Sequence, residues 1–445
     1  MRLLNTIIVI GVIGLAGCKS EKASLELVKN QPSYLHEMVH QLSDVIVHDI
    51  FSPPVASRIY AYASIAAYEA NAMGDPSYRS LAGQVNGLKE IPEPQEGVTI
   101  NFALASIKAF LDVGKELIFS EHQMEEFEVD LMNRIKAEGI SNKIFRNSIA
   151  YGQQVATHIL QWASKDMYSQ TRTYPKFAVN QNPARWQPTP PDYMDGIEPH
   201  WNEIRPLVIN SAQQFAPPPP TPFDMTPNSP FYQEVMEVYQ ALDGADREER
   251  IAISKFWDCN PYVSQHIGHV MYAIKKITPG GHWMGIVGVA CQTAEADFSS
   301  SIEAYAMTSI ALFDAFISCW DEKYRSNLIR PETVINKYID ENWVPGLQTP
   351  PFPEYTSGHS VISRASAIVL THLFGEEFPY EDTVELEFGL PARKYKSFIE
   401  ASEEAALSRL YGGIHYMPAI KYGVEQGEQV GKWIVSNIQT KEIVQ

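Results

Sequence analysis

The sequence predicts an all-α protein, because apolar residues recur at helical spacing along most of the chain and alternating strand patterns are nearly absent. Its 445 residues, 45% of them hydrophobic, can bury a core in one large domain or two smaller ones. Lys and Arg number 35 against 53 Asp and Glu, and the net charge of −18 disfavours nucleic acid or an anionic membrane surface as a partner. An anionic substrate would therefore need a locally positive pocket.

The first residues, 1–18, have the pattern of an export signal. Basic Arg2 precedes an apolar run from Leu3 to Leu15 that is too short to span a membrane, and small residues lead to Cys18. The ending Leu-Ala-Gly-Cys18 resembles the bacterial lipobox, in which the signal is cut before the cysteine and the cysteine is acylated. This pattern predicts an exported lipoprotein of the bacterial cell envelope, on the periplasmic side or at the outer-membrane surface, that contacts the membrane only through its lipid anchor.

Three cysteines remain beyond Cys18, and each lies in a segment that resembles buried helix: Cys259, Cys291 and Cys319. Their number is odd and their spacing is not that of a metal cluster. We therefore expect no disulfide framework.

The helical pattern divides the chain into regions. Residues 19–32 are polar and are predicted to be a tether. Helical regions follow at 33–167 and 231–440, and the loop between them, 168–230, holds 14 of the 30 prolines together with aromatic residues that predict packing against the helices. The predicted helices are 34–51, 55–73, 100–113, 120–138, 141–164, 231–242, 248–257, 262–275, 296–320, 327–338, 359–374, 392–411 and 417–438.

Three short segments carry reactive side chains. In the first, Lys323 and Arg330 are seven residues apart, so two helical turns would place both cations on one face together with Trp320. Pro331 should lie where that helix is interrupted or redirected. A solvated helix face is the ordinary alternative for such a pair of cations.

The second segment is the proline-stiffened run 350–360, which contains Ser357-Gly358-His359 and leads into an apolar helical pattern. Ser357 is well placed as an N-cap. The free N–H groups near Gly358 and the helix dipole would then favour an oxyanion.

The third segment contains Arg409 and His415, six residues apart, with Gly412-Gly413 between them. On an unbroken helix the two side chains would lie on different faces. The glycine pair must therefore break the helix if both are to reach one centre.

In this order, the three segments resemble the signature shared by the vanadium-dependent haloperoxidases and the type 2 phosphatidic acid phosphatases. The match covers about 320–431, with looser similarity at 186–191 and 281–283. The resemblance implies two helical bundles of the vanadium haloperoxidase/acid phosphatase type, joined by the proline-rich loop, with the oxyanion site in the second bundle.

The resemblance also implies the roles of individual residues. His415 would be the axial vanadium ligand in a haloperoxidase or the nucleophile in a phosphatase, and His359 would be the acid/base. The residues that would hold the vanadate or phosphate are Lys323, Arg330, Ser357, Gly358 and Arg409.

Residues around this clamp favour the peroxidase. Trp320 and Phe352 match the aromatic pair of the halide pocket in chloroperoxidase-like members, and Tyr262 matches a tyrosine near the site of the bacterial vanadium iodoperoxidases, which the whole chain resembles. The aspartate that phosphatases commonly carry four residues after the last histidine is replaced by Ala419, which leaves the orientation of His415 open, and Thr356 replaces the usual proline. Buried core aromatics are the alternative for both rings.

The resemblance therefore implies a monomeric iodoperoxidase with a vanadate cofactor. Hydrogen peroxide would oxidise the halide, with iodide favoured, to hypohalous acid through a peroxovanadate, and Lys323 would polarise the peroxo group. The sequence does not specify the organic acceptor. An envelope acid phosphatase that uses a phosphohistidine and a non-enzymatic oxyanion-binding lipoprotein remain as alternatives.

Three further histidines are expected to be structural. His266, His269 and His282 are predicted to lie on helices without a carboxylate partner at metal spacing.

Overall fold

The computed structural model of the chain describes residues 21–267 and 269–441, and it confirms the all-α class. The predicted export signal and lipobox, which end at Cys18, lie outside the described residues. The helices are α1 (Glu21–Glu26), α2 (Ser33–His48), α3 (Pro53–Ala72), α4 (Phe102–Glu116), α5 (Glu121–Ala137), α6 (Asn142–Ala163), α7 (Tyr168–Thr171), α8 (Pro230–Tyr239), α9 (Arg247–Phe256), α10 (Pro279–Thr293), α11 (Phe298–Ser326), α12 (Pro331–Tyr338), α13 (Gly358–Phe374), α14 (Phe398–Tyr411) and α15 (Met417–Asn437).

Two short antiparallel hairpins correct the helix predictions. Strands β1 (Val263–Ile267) and β2 (Val270–Ile274) replace the helix predicted at 262–275, and β3 (Tyr380–Asp382) pairs with β4 (Arg393–Tyr395) where the helix predicted at 392–411 was to begin. The segment 262–275 is rich in β-branched and aromatic residues, whose strand preference outweighs a short apparent helical period.

The helix α10 is absent from the sequence prediction because four glycines obscure it. Thr278 caps the helix, since its Oγ1 accepts the Gly281 N–H at 3.0 Å. The glycines permit close packing: a Cβ on Gly285 would lie 2.6 Å from Val384. Packing here outweighs the low helix propensity of glycine.

Residues 21–32 do not form the unstructured tether that the sequence predicts. Leu27 and Val28 are buried in the main apolar core, and the Ser24 carbonyl accepts a hydrogen bond of 2.9 Å from the Asn101 amide. The burial of Leu27 and Val28 and the hydrogen bond at Ser24 therefore hold this segment against the helices.

The two longest stretches of fully buried helix form the centre of the molecule. Every residue of α3 is buried, and α11 is buried from Phe298 to Lys323 except at Ser300, so these two helices pack on each other inside one continuous apolar core. By length and composition α11 could cross a membrane, but its apolar stretch is entirely buried by other parts of the protein.

The proline-rich loop is held against α11 by a buried carboxylate. Asp314 accepts the backbone N–H groups of Leu207, Val208 and Ile209 at 2.6, 2.7 and 2.9 Å. Trp186 and Trp201, which belong to the loop, are fully buried. These contacts agree with the prediction that the loop packs on the body.

Glycines on α15 bring it close to α13. A Cβ on Gly423 would lie 3.0 Å from the Ser357 carbonyl oxygen, and one on Gly427 would lie 2.1 Å from the Val361 carbonyl oxygen. Because no larger side chain fits at this spacing, α15 supports the first turn of α13 directly.

Candidate active site

The three segments singled out in the sequence meet at one cavity of about 170 Å³, called the oxyanion pocket below. Its walls include Trp320, Phe352, Gly358, His359, Arg409 and His415. Residues 323 and 330 lie just behind these walls, in contact with the backbone that forms them.

The sequence predicts that Lys323 and Arg330 share one helix face. In the structure they do not. The helix α11 ends at Asn327, which has a left-handed backbone (φ 49°), and Arg330 is the N-cap residue of α12. The helix ends before Arg330 because Pro331 disfavours helical backbone in the residue preceding it. Both cations nevertheless reach the same site from two separate elements.

Both side chains are fully buried and are fixed by backbone carbonyls. The Lys323 ammonium donates to the carbonyls of Pro353 and Glu354 at 3.2 and 3.1 Å and to that of Thr356. Arg330 Nε donates to the Phe352 carbonyl at 2.9 Å, and its Nη1 donates to the Ile414 carbonyl at 2.8 Å. The clamp is therefore positioned before any anion binds.

Arg409 completes the group of cations from α14. Its Nη1 donates to the Trp257 carbonyl at 2.9 Å, while its buried Nε has no partner among the residues that the structure describes. An acceptor in the pocket could satisfy this donor.

Burial and mutual repulsion make the charged clamp costly without an anion. Burial, reinforced by the neighbouring guanidinium groups, lowers the pKa of Lys323 to about 8 and that of Arg330 to about 10. Burial also lowers the pKa of Arg409. Burial is the main cause of all three shifts, and repulsion between the cations adds to it at Lys323 and Arg330.

Ser357 is the N-cap of α13, as the sequence predicts. Its Oγ accepts the Ser360 N–H at 3.4 Å and the Ser360 hydroxyl at 2.9 Å, so its own hydroxyl proton is available to an anion. Gly358 begins the helix, where N–H groups lack partners inside the helix, and it forms part of the pocket wall.

His359 presents a free nitrogen to the site. Its ring bonds to the backbone at Trp257, and its buried Nε2 has no partner in the described part of the chain, so Nδ1 is the nitrogen that donates to the Trp257 carbonyl. Burial of the ring and the nearby Arg409 lower the pKa of His359 well below its usual value. The ring is therefore neutral at neutral pH, with Nε2 able to accept a proton.

His415 is oriented by Glu354, a residue that the sequence analysis did not identify. Glu354 Oε1 accepts the Tyr416 N–H at 2.9 Å and lies 2.9 Å from His415 Nδ1, which must donate to it. On the other side of the ring, Arg330 Nη1 lies 3.2 Å from His415 Nε2. The proton is thus on Nδ1, and the lone pair of Nε2 faces the clamp.

Glu354 fills the role left open by Ala419. Burial raises the pKa of Glu354 to about 8, and burial followed by the charge of Arg330 lowers the pKa of His415 well below its usual value. A sequence signal did exist, because Glu354 is the only charged residue between Gly346 and Gly358. Its partner is 61 residues away, beyond the reach of any local pattern.

The predicted aromatic wall is present. The ring centroids of Trp320 and Phe352 are 5.0 Å apart, and both side chains line the oxyanion pocket together with Tyr262. The Lys323 ammonium lies 5.0 Å from the Phe352 ring centroid. An apolar wall thus adjoins the cationic clamp.

The other histidines lie outside this pocket where the structure describes them. His269 is exposed at the tip of the first hairpin, and the side chain of His266 is outside the described part. His282 is buried in α10 and, contrary to expectation, has carboxylate partners: Asp382 at 2.8 Å and Glu385 at 3.0 Å.

Comparison with known proteins agrees with this geometry. Residues 303–442 match the family model of the VCPO second helical-bundle domain. A solved structure of a bacterial vanadium-dependent iodoperoxidase is 52% identical, with a TM-score of 0.87 over 93% of this chain and 98% of that chain. The chain belongs to the vanadium-dependent haloperoxidase family.

More distant structures share the haloperoxidase fold. A holo-type bacterial vanadium-dependent chloroperoxidase is 18% identical, with a TM-score of 0.66 over 87% of this chain and 93% of that chain. The apo-type structure of a bacterial vanadium-dependent chloroperoxidase is 17% identical, with a TM-score of 0.62 over 87% and 95%. No protein with a curated function matches the sequence significantly.

Proposed function

We propose that this haloperoxidase holds vanadate in the oxyanion pocket and oxidises halide, with iodide preferred, using hydrogen peroxide. One observation carries the proposal: three buried cations lie together at a cavity lined by two histidines. His359 Nε2 has no partner among the described residues, and His415 Nε2 accepts from Arg330 Nη1, a donor that a bound anion could take over. Such a site suits an anion whose central atom can also be coordinated by a histidine nitrogen.

The residues present fit vanadate. The Arg409 Nε and the Ser357 hydroxyl could donate to its oxygens together with Lys323 and Arg330, and His415 Nε2 could hold the vanadium. When bound, vanadate would supply Lewis acidity that makes a peroxide oxygen electrophilic.

The chain itself would manage protons and halide. His359 Nε2 would accept a proton from hydrogen peroxide, because it is neutral and has no competing partner. Trp320 and Phe352 would contact the halide, and a weakly hydrated ion such as iodide loses little hydration at an aromatic wall. The iodoperoxidase with 52% identity supports the preference for iodide.

The test compares two reactions of the same protein. Protein stripped of bound anions is assayed with and without added vanadate, once for iodide oxidation and once for phosphomonoester hydrolysis. We expect peroxide-dependent iodide oxidation only after vanadate is added. Hydrolysis that persists without vanadate, with no halide oxidised at any pH, would support the phosphatase and exclude this proposal.

A matched variant tests the acid/base role. His359→Ala should lower the rate of iodide oxidation by roughly 10²- to 10⁴-fold while vanadate affinity stays within a few fold, because Nε2 holds no structural partner. A variant that loses binding and activity together would contradict the assignment.

We also propose that the protein is an exported lipoprotein anchored at Cys18 and works as a monomer in the bacterial cell envelope. The lipobox-like sequence supports this proposal. Cys18→Ser should abolish incorporation of labelled fatty acid and release the protein from membranes; unchanged labelling would refute the anchor.

A further inference from the structure

A second cluster of reactive side chains adjoins the oxyanion pocket, whose wall includes Cys259. Cys259 follows α9, His282 is in the first turn of α10, and Glu385 is in the 3-10 helix Val384–Phe388. His282 Nδ1 is 3.5 Å from Cys259 Sγ and 3.0 Å from Glu385 Oε1, and Sγ is 4.0 Å from Oε1. All three side chains are buried.

These separations are close to those of ligands around one tetrahedral ion. Bond lengths of about 2.3 Å to sulfur and about 2.0–2.2 Å to nitrogen and oxygen place ligand atoms about 3.3–3.6 Å apart. The three observed distances bracket that range. Thiolate, imidazole and carboxylate are also the ligand types that zinc prefers.

A fourth residue occupies the position of an outer-shell partner. His282 Nε2 lies 2.8 Å from Asp382 Oδ2. Asp382 is not one of the three residues whose ligand atoms are close enough together to share an ion. A carboxylate on the far nitrogen of a histidine fixes the tautomer and directs the other nitrogen towards a metal. Here that nitrogen is Nδ1, which faces Cys259 and Glu385.

We propose that Cys259, His282 and Glu385 bind a zinc-type divalent cation. The site shares only Cys259 with the wall of the oxyanion pocket, and none of the residues proposed to hold vanadate. Binding would displace the thiol proton of Cys259 and one imidazolium proton of His282. The two positive charges of the cation therefore replace those of the two protons. The net charge of the buried cluster is therefore unchanged. With three protein ligands, water would take the fourth position.

The proposed ion would stabilise the backbone that holds the catalytic groups. Trp257, two residues before Cys259, stacks on the His282 ring with centroids 4.6 Å apart. The Trp257 carbonyl accepts hydrogen bonds from Arg409 and His359. A cation joining Cys259 to α10 would thus fix the carbonyl that orients both side chains.

Cobalt(II) provides a spectroscopic test that does not depend on activity. Titration of the full chain with Co²⁺ should produce a thiolate-to-cobalt absorption band that saturates at about one ion per chain. The band should be lost in Cys259→Ala and weakened in Glu385→Gln. Zinc alone should raise the melting temperature of the parent protein but not that of Cys259→Ala.

Two variants serve as controls. Cys291→Ala removes a buried cysteine of the same helix as His282, and His40→Ala disrupts an exposed group of His40, Asp44 and Glu387. Both should retain the band. Absence of a thiolate band in the parent protein, or a band that persists in Cys259→Ala, would overturn the proposal even if halide oxidation is found.

Discussion

At the scale of single residues, function depends on which nitrogen of each histidine is free. His415 is held by Glu354 on Nδ1, and His359 is held by the Trp257 carbonyl on the same nitrogen. The Nε2 lone pairs therefore face the oxyanion pocket; within the described part of the chain that of His359 has no partner, and that of His415 accepts from Arg330 Nη1. The motif predicts the two histidines but does not predict the groups that fix their tautomers.

Substitution of Glu354 tests this orientation. Glu354→Ala should weaken vanadate binding by about 10- to 100-fold, because His415 loses the acceptor that holds its ring. Glu354→Gln retains an acceptor oxygen and should lose less. Vanadate titration measures both effects.

The control for Glu354 is Glu322→Gln. Glu322 is another buried carboxylate, but its partner is Arg325 and not a histidine. Its substitution should leave vanadate affinity unchanged. If Glu322→Gln and Glu354→Ala weaken binding equally, the effect comes from general destabilisation and not from the orientation of His415.

The lowered pKa of Lys323 predicts how anion binding depends on pH. Between its folded pKa of about 8 and the ordinary value of 10.5, the empty folded protein binds fewer protons than the unfolded chain, so its stability rises with pH. Anion affinity, which needs charged Lys323, should fall across the same window by up to about tenfold per pH unit.

Lys323→Met separates this effect from ionisation of the anion itself. The variant should bind vanadate more weakly at pH 7 and should lose the part of the pH dependence above 8 that belongs to the lysine. Binding curves measured from pH 6 to 10 test this. Identical pH dependence in the two proteins would show that Lys323 stays charged throughout.

At the scale of elements, the sequence predicts the parts of the site better than their connection. Ser357 caps α13 and the glycine pair ends α14, because both signals are local. The prediction that one helix carries both Lys323 and Arg330 is wrong, because α11 ends at its C-cap residue, Asn327, before it reaches Arg330. For the β1–β2 hairpin, alternation and helical spacing could not be distinguished over so few residues.

Gly413 tests the turn that carries His415. It has φ +75°, and an added Cβ would lie 2.9 Å from the Trp343 ring. Gly413→Ala should therefore cost more than the roughly 1–2 kcal/mol of a left-handed backbone alone, and it should weaken vanadate binding as His415 shifts. Urea unfolding and vanadate titration measure the two effects.

Gly389→Ala is the matched control. Gly389 has φ +81°, and a Cβ there would meet no atom within 4 Å. It should lose a similar backbone contribution to the free energy of unfolding and keep the vanadate affinity of the parent protein. Equal loss of affinity in both variants would contradict the role of the Gly413 turn.

At the scale of the whole molecule, the site depends on tertiary packing that local patterns do not encode. The central helices α3 and α11 are recognisable as buried helices from their apolar content, but their contact and the path of the proline-rich loop across α11 are not. The family resemblance supplied that arrangement. The oxyanion pocket is lined by residues of α11, α13 and α14 together with the loops at 259–262 and 350–352, which are far apart in the sequence.

The most direct test of the central claim is a crystal structure of the protein soaked with vanadate, with the metal located by its anomalous signal. The structure predicts one strong site per chain in the oxyanion pocket, next to His415 Nε2 and within hydrogen-bond reach of Arg409 Nε and Ser357 Oγ. An empty pocket at saturating vanadate, or vanadium bound away from His415, would contradict the account.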